Sequence, residues 1–321
     1  MAVGPGEVAG KVRLLSGEVV ASLLHGPELL EPIAQALVSY SSGAASAPPR
    51  AGAAAPGGWL AAMPAYLPDR TLSAKLISVF PANTAAGQPS HQGIVALFDA
   101  ADGRPLCVMD ARHITALRTA AVSALSVREL ARPGARILAV LGSGEQARSH
   151  LQLVAAVRPF SEVRVAARNR ERGLALVGEF PGSQFAPSFE AAVRGADVVL
   201  CCTDSRDPVV RLSWCRDGVH LVSVGTGAEL DEFTLREAHL FVEWRGAVSS
   251  PPPAGAIELQ GLNPEAVTEL GELLAGTQPG RLSAAEVTVF KSTGLGVEDA
   301  AVARTVYDSA LREGLGVSVA W

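Results

Sequence analysis

The spacing of apolar residues changes character after the first third of the chain. Residues 18–24 and 27–40 carry apolar side chains at helical intervals, whereas residues 41–58 are small, with repeated Pro and Gly, and predict a loop. Strand patterns follow around 59–64 and 72–80. Residues 93–98 and 106–109 flank Asp99-Ala-Ala-Asp-Gly-Arg104, and an Asp-Gly turn between two apolar runs predicts a hairpin. This region is therefore expected to be α+β and largely antiparallel.

From residue 114 the pattern becomes an alternation. A helix over 114–130 is stopped by Arg132-Pro-Gly134. Strands at 136–141, 162–166, 197–202, 220–224 and 239–242 then interleave with helices at 145–157, 171–179, 188–194 and 231–237. Such an alternation predicts an α/β fold built on a doubly wound parallel sheet of Rossmann type. An irregular connection over 245–255, containing Pro251-Pro-Pro253, leads to a helix around 264–274 and a further strand at 286–290. The last helix, 297–312, follows Gly294 and Gly296, and Gly314 suits the position just past its end. It begins after the sheet is complete. Because chain termini often lie close together, it is expected to cross back onto the first domain and make that domain discontinuous.

The most informative motif is Arg136-Ile-Leu-Ala-Val-Leu-Gly-Ser-Gly-Glu-Gln-Ala147, a buried strand running into a Gly-x-Gly-x-x-Ala turn and a helix. Gly142 and Gly144 have no Cβ to keep the backbone away from a pyrophosphate. The helix after them points N–H groups and a positive dipole end at the same phosphates. Alone, a Gly-x-Gly turn is a weak signal and reads equally as a loop. The strand before it, the helix after it and the second strand beyond supply the context of a dinucleotide site. That second strand, Val163-Arg-Val-Ala-Ala-Arg-Asn-Arg170, ends without the acid that would bind a ribose 2′-hydroxyl. Arg168 and Arg170 stand there instead. Two guanidiniums suit a 2′-phosphate, so the expected cofactor is NADPH (NADP).

Composition narrows the partners. The chain of 321 residues is long enough for two domains with cores, and its net charge of −5 gives no basic field to attract nucleic acid or an anionic membrane. Residues 1–7 have neither a basic start nor an apolar core, so no secretory leader is expected, and no stretch is long and apolar enough to span a bilayer. The four cysteines, Cys107, Cys201, Cys202 and Cys215, lack metal-site spacing, and the six histidines are scattered. Buried thiols in a reducing, cytoplasmic compartment and no metal site are expected.

Candidate chemistry is sparse. Lys75 lies inside an apolar strand, where it must face a cleft, meet an anion or emerge at an edge. In a cleft it could hold a substrate carboxylate or donate a proton. Arg118, in the first turns of a helix, either grips a carboxylate with two N–H groups or sits on a solvated face. Arg50 follows Pro48-Pro49 and is uninformative by pattern. His91, after Ser90, is a proton shuttle or a plain turn residue. Thr203, Gly225 and Thr226 follow strand ends at the carboxyl edge of the sheet, where ligands of α/β folds sit, and are expected to line a nicotinamide pocket.

A wider set of segments is far more specific: Met63-Pro-Ala-Tyr66, Ser90-His-Gln92, Val108-Met-Asp110, Ile114-Thr-Ala-Leu-Arg-Thr-Ala-Ala-Val-Ser-Ala124, Gly142-Ser-Gly-Glu-Gln-Ala147, Ala196-Asp197, Glu269-Leu-Gly271, Val287-Thr-Val-Phe-Lys-Ser292 and Val297-Glu-Asp299. Nearly end to end, the chain resembles the ornithine cyclodeaminase/mu-crystallin family. The resemblance implies a substrate-binding and dimerisation domain over 1–116, completed by 293–321, and an NADP-binding Rossmann domain over 117–292. It implies NADPH on Gly142, Ser143, Gly144, Glu145, Gln146 and Ala147. Arg168, Asn169 and Arg170 would lie toward the 2′-phosphate, and Thr203 and Gly225 by the ring. Arg50, Lys75 and Arg118 would gather around a substrate carboxylate, joined in the substrate site by Ser90, His91 and Ser292.

The reaction so implied is reduction of a cyclic ketimine carboxylate, a piperideine- or thiomorpholine-type imine acid, by a homodimer. Thyroid-hormone binding in the same pocket is implied as a second role. Two departures stand out. Val224-Gly-Thr-Gly-Ala-Glu-Leu-Asp231 is shorter than in relatives by roughly four residues and lacks a Pro. Gly255-Ala256 also stands where many relatives have Gly-Asp. Because that loop supplies the acid used in cyclodeaminases, ornithine cyclodeamination is disfavoured, and Glu229 is the nearest carboxylate that could act catalytically. The alternative is a catalytically weak hormone-binding or structural crystallin-type protein.

Overall fold

A computed structural model describes residues 10–203 and 205–321, without the side chain of Thr84. The leader expectation concerns residues 1–7, which lie outside the described residues. In chain order, β1 (Lys11–Leu15) and α1 (Gly17–Leu23) are followed by α2 (Leu30–Ser41). Strands β2 (Ala51–Ala55), β3 (Gly58–Leu67), β4 (Thr71–Val79), β5 (His91–Asp99) and β6 (Pro105–Asp110) precede α3 (Arg112–Leu130). The alternating region runs β7 (Ile137–Leu141), α4 (Glu145–Val157), β8 (Glu162–Ala166), α5 (Arg170–Glu179), β9 (Ser183–Phe185), α6 (Phe189–Val193) and β10 (Val198–Cys201). It continues with β11 (His220–Val224), α7 (Glu232–Glu237), β12 (His239–Val242), α8 (Gly246–Ser249), β13 (Thr268–Glu269), α9 (Leu270–Leu274) and β14 (Thr288–Ser292). The chain closes with α10 (Gly296–Glu313) and β15 (Val317–Ala320).

These elements form two compact units. One holds the described residues up to His25, Ala45–Thr115 and Gly296–Trp321; the other holds Gly26–Ala44 and Ala116–Leu295. Residues 26–44 thus belong to the second unit, although their place in the chain assigned them to the first domain. The cause is the packing of α2 on α9. A Cβ on Gly271 would lie 2.2 Å from the Leu37 carbonyl oxygen, so its absence lets the two helices approach, and Ser41 Oγ donates to Glu269 at 2.7 Å.

In the first unit β15, β1, β6, β5, β4, β3 and β2 form one sheet, antiparallel except where β1 runs parallel to β6. Along β3, Ala61, Met63, Ala65 and Leu67 are buried while Leu60, Pro64 and Tyr66 are exposed, the period-two pattern of a strand with one face on a core. The buried face is covered by α10, which packs on β3 and β4. Gly296 permits the approach, since a Cβ there would lie 2.9 Å from the Pro64 carbonyl oxygen. β2 falls in the stretch expected to be a loop. Its Ala-Gly-Ala-Ala-Ala sequence has little strand propensity and is exposed throughout, so backbone pairing with β3 is what makes it a strand.

In the second unit eight strands lie in the order β13-β12-β14-β11-β10-β7-β8-β9, every neighbouring pair parallel. This is the doubly wound sheet that the alternation predicts. The expected bounds 145–157, 162–166, 220–224 and 239–242 coincide with α4, β8, β11 and β12. The helix expected over 264–274 is divided, because Glu269 and Glu272 form a capping box that starts α9 afresh after β13. Among the described residues, no helix is long and apolar enough to cross a membrane.

Candidate functional site

β7 delivers Gly142 into a left-handed conformation with φ +125°, and a Cβ there would lie 2.4 Å from the Cys202 carbonyl oxygen. Only glycine fits this close pass of β7 against the end of β10. Gly144 plays a different part. It is the N-cap of α4 with no capping side chain, and nothing lies within 4 Å of where its Cβ would be. α4 thus starts without a side-chain cap beside open space at Gly144, and an uncapped helix N-terminus is the arrangement that receives phosphate. Ser143 and Glu145 are half-buried at this turn, and Ala147 is buried beneath it. Gln146 gives its carbonyl oxygen to His150 Nδ1 at 2.7 Å, while its side-chain oxygen is buried without a partner among the described residues. An unpartnered buried acceptor beside an uncapped helix end fits a dinucleotide.

After β8 the three polar residues divide their work. Asn169 caps α5, its side chain accepting the Arg172 N–H at 2.9 Å. Arg170 lies over the Phe185 ring at 5.3 Å. Arg168 is exposed and, among the described residues, makes no hydrogen bond or ion pair. Of the two expected phosphate ligands, only Arg168 is uncommitted within the unit.

The carboxyl ends of β10 and β11 are tied together by Glu229. The Thr203 N–H and hydroxyl both donate to Glu229 Oε1, at 2.7 and 2.5 Å. Glu229 Oε2 contacts Ser223 Oγ at 2.7 Å and the Val224 N–H at 3.2 Å. The side chain is fully buried, and burial pushes its pKa above the usual carboxylate range against the pull of Lys291. Both oxygens of Glu229, the carboxylate expected to act catalytically, are engaged by the strand ends. Gly225, exposed at φ +91°, opens the short loop, and its N–H donates to the Ser292 carbonyl oxygen at 2.9 Å.

Arg118 is 6% exposed on α3, so the solvated-face reading fails. Its guanidinium rests against Gly294, where a Cβ would lie 2.6 Å from each Nη and φ is +84°. Gly294 follows β14, so this cation stands at the carboxyl edge of the parallel sheet. Glu243, buried just past β12, holds the turn. It accepts the Ser292 hydroxyl, the Thr293 N–H at 2.8 Å and the Gly294 N–H at 2.7 Å. The Ser292 hydroxyl is thereby directed to Glu243 and supports the turn, where a substrate contact was expected. Sequence reasoning missed both Glu243 and Gly294 as site residues. The available signal was a lone acid immediately after the apolar run His239-Leu-Phe-Val242.

In the first unit, Lys75 is 1% exposed on β4, between β3 and β5, which removes the edge reading. Its Nζ lies 2.9 and 2.8 Å from the two carboxylate oxygens of Asp299 in the first turn of α10. Of the three fates open to a lysine in an apolar strand, the anionic partner is the one observed. Arg50 is half-buried just before β2. Ser90 Oγ lies 2.9 Å from His91 Nδ1 at the start of β5, where His91 is exposed.

A parallel sheet with an open glycine turn and a buried arginine at its carboxyl edge defines an oxidoreductase of the dinucleotide-binding α/β class. The chain belongs to the ornithine cyclodeaminase/mu-crystallin family, whose family model matches residues 11–314. It is 36% identical over 312 residues to ketimine reductase mu-crystallin of Mus musculus, covering 92% of this chain and 96% of that protein. The structure of Thermococcus litoralis Delta(1)-pyrroline-2-carboxylate reductase in complex with NADH and L-proline is similar with a TM-score of 0.91 and 32% identity, covering 96% of this chain and 100% of that one. An archaeal alanine dehydrogenase dimer with bound NAD is similar with a TM-score of 0.88 and 31% identity, covering 97% of this chain and 99% of that one.

Proposed function

We propose that the protein reduces the C=N bond of a cyclic ketimine carboxylate with NADPH. One observation carries the reading. A single unit holds both an open, uncapped helix end behind Gly142 and Gly144 and a buried guanidinium, Arg118, at the carboxyl edge of the same sheet. The relatives support the substrate class, since one is a ketimine reductase and another was captured with NADH and L-proline.

NADPH bound here supplies the hydride. Residues 142–147 and the first N–H groups of α4 hold the pyrophosphate, and Arg168 meets the 2′-phosphate. The two related structures hold NADH and NAD, so the choice of NADPH rests on this chain's exposed guanidinium past β8. Arg118 grips the substrate carboxylate through two N–H groups and fixes the position of the imine carbon. Reduction at the carbon would be matched by a proton delivered to the ring nitrogen from water. The proposed assembly is a homodimer. Leu60, Tyr66, Leu72 and Ile94 lie exposed on the sheet face opposite α10, an apolar surface of the kind that associates, and one related structure is a dimer.

Oxidation of NADPH and NADH in the presence of a cyclic ketimine acid tests the proposal. Turnover with roughly tenfold or greater preference for NADPH is expected, the worth of one charge-assisted contact. Nucleotide binding without turnover rejects the reductase. It leaves the second reading, an iodothyronine held by the same carboxylate ligands, which the short loop over 225–231 favours. Arg118→Ala abolishes reduction and hormone binding alike while nucleotide binding persists.

A further inference from the structure

Among the described residues, the carboxyl ends of β10, β11 and β14 enclose two acids, Glu229 and Glu258, and one cation, Lys291. Glu229 and Glu258 both lie in the interior, and Lys291 is the cation that reaches them: its Nζ lies 2.6 Å from Glu258 Oε1 and 2.8 Å from Ser223 Oγ. Ser223 Oγ also lies 2.7 Å from Glu229 Oε2 and 3.1 Å from Glu258 Oε1. A serine hydroxyl has a single hydrogen, so it can donate to one carboxylate only. Lys291 occupies one of its acceptor positions. The remaining contact joins a hydroxyl oxygen to a carboxyl oxygen, and these attract only when the carboxyl brings the proton. Glu258 already takes Lys291 and the Leu230 N–H at 2.9 Å, whereas Glu229 makes no ion pair among the described residues.

We propose that Glu229 is stored as a neutral carboxylic acid, its proton shared along Glu229–Ser223–Glu258, and that this proton locks together the segments following β10 and β11. Every hydrogen then has one destination. Glu229 Oε1 accepts twice from Thr203, its Oε2 accepts the Val224 N–H and donates its own hydrogen to Ser223 Oγ, and the Ser223 hydroxyl donates to Glu258 Oε1. Burial acts in the same sense, raising the pKa of Glu229. Among the described residues, the titratable groups facing it are Lys291, Glu258 and the thiols of Cys201 and Cys202, and burial pushes both thiols up. Losing the proton would set a second negative charge beside Glu258 with one lysine to neutralise both. The lock therefore releases on the alkaline side. Glu229 is a positioning residue, acting through Thr203 and Val224.

The test uses the whole protein without substrate, so its outcome is independent of the reductase proposal. In the infrared spectrum the wild type should show a protonated-carboxyl band at neutral pH that bleaches on alkalinisation and is missing from Glu229→Gln. The amide of that variant donates to Ser223 and accepts from Thr203 but cannot ionise. Its melting temperature should match the wild type near neutrality and escape the alkaline fall that the wild type shows. Absence of the band from the wild type, or an alkaline fall that Glu229→Gln shares, overturns the proposal. Should Glu229→Gln fail to fold, the bleaching of the wild-type band alone decides.

Discussion

At the scale of single residues, Gly294 governs the one cation that the proposed function cannot lack. Adding a Cβ would place it 2.6 Å from both terminal nitrogens of Arg118, in a backbone whose φ of +84° already disfavours a side chain. The backbone there is pinned through its N–H groups to Glu243, so the guanidinium is the part that yields. A hydrogen bond to a charged group is worth about 1.5–3 kcal/mol, which corresponds to about 10- to 150-fold in affinity. Gly294→Ala should therefore raise KM for the ketimine acid by that factor and leave the dissociation constant of the nucleotide unchanged. Steady-state kinetics beside calorimetric titration checks both. Equal losses for substrate and nucleotide would point to general unfolding of the turn.

At the scale of elements, the turn from β7 into α4 is fixed by a glycine that nothing else could replace. Gly142→Ala combines a φ of +125° with a 2.4 Å approach to the Cys202 carbonyl oxygen, so β7 and the end of β10 must separate. The expected result is a melting temperature lower by several degrees and loss of nucleotide binding, measured by thermal denaturation with and without NADPH. The same physics made this element legible. A parallel strand buried on both faces must be an unbroken apolar run, and a backbone passing that close must be glycine, so β7, α4 and β8 stand in the sequence with their limits. β2 left no such trace, because an edge strand of alanine and glycine is made by the hydrogen bonds of its neighbour. Gly142, Gly144 and Arg168 were readable for their local context. The partners of Glu229, Glu243 and Glu258 were not, since each carboxylate is defined by which strands lie side by side. Glu243 meets the turn after β14 some fifty residues on, through the parallel register of β12 and β14.

At the scale of the whole molecule, an exposed apolar row and a buried histidine seam each carry a prediction. On the outer sheet face, Ile94 stands in register with Leu76 and Ala62, and Tyr66 with Leu72 and Phe98. A charge placed in that row would have to be desolvated in the proposed homodimer, so Ile94→Glu should give monomers in analytical ultracentrifugation where the wild type gives dimers, without unfolding them. Inside, α3 sets Ser123 against His150 Nε2 at 2.8 Å and Ser126 against His220 Nε2 at 3.2 Å. Burial depresses these histidines to about 4 and about 3. In the unfolded chain they titrate near 6.5, so between those limits the unfolded state binds more protons and stability falls as the pH drops. Each contributes about 1.4 kcal/mol per pH unit, on the order of 4 kcal/mol for the pair at pH 5, or about 6 °C in melting temperature for a chain of this length. His220→Gln removes one titrating group and should halve that slope while leaving any alkaline limb intact. Glu229→Gln should do the reverse. If each variant flattens its own limb alone, the pH range of this fold is set by protons at two separate places, the seam beneath α3 on the acid side and the carboxyl strand ends on the alkaline side.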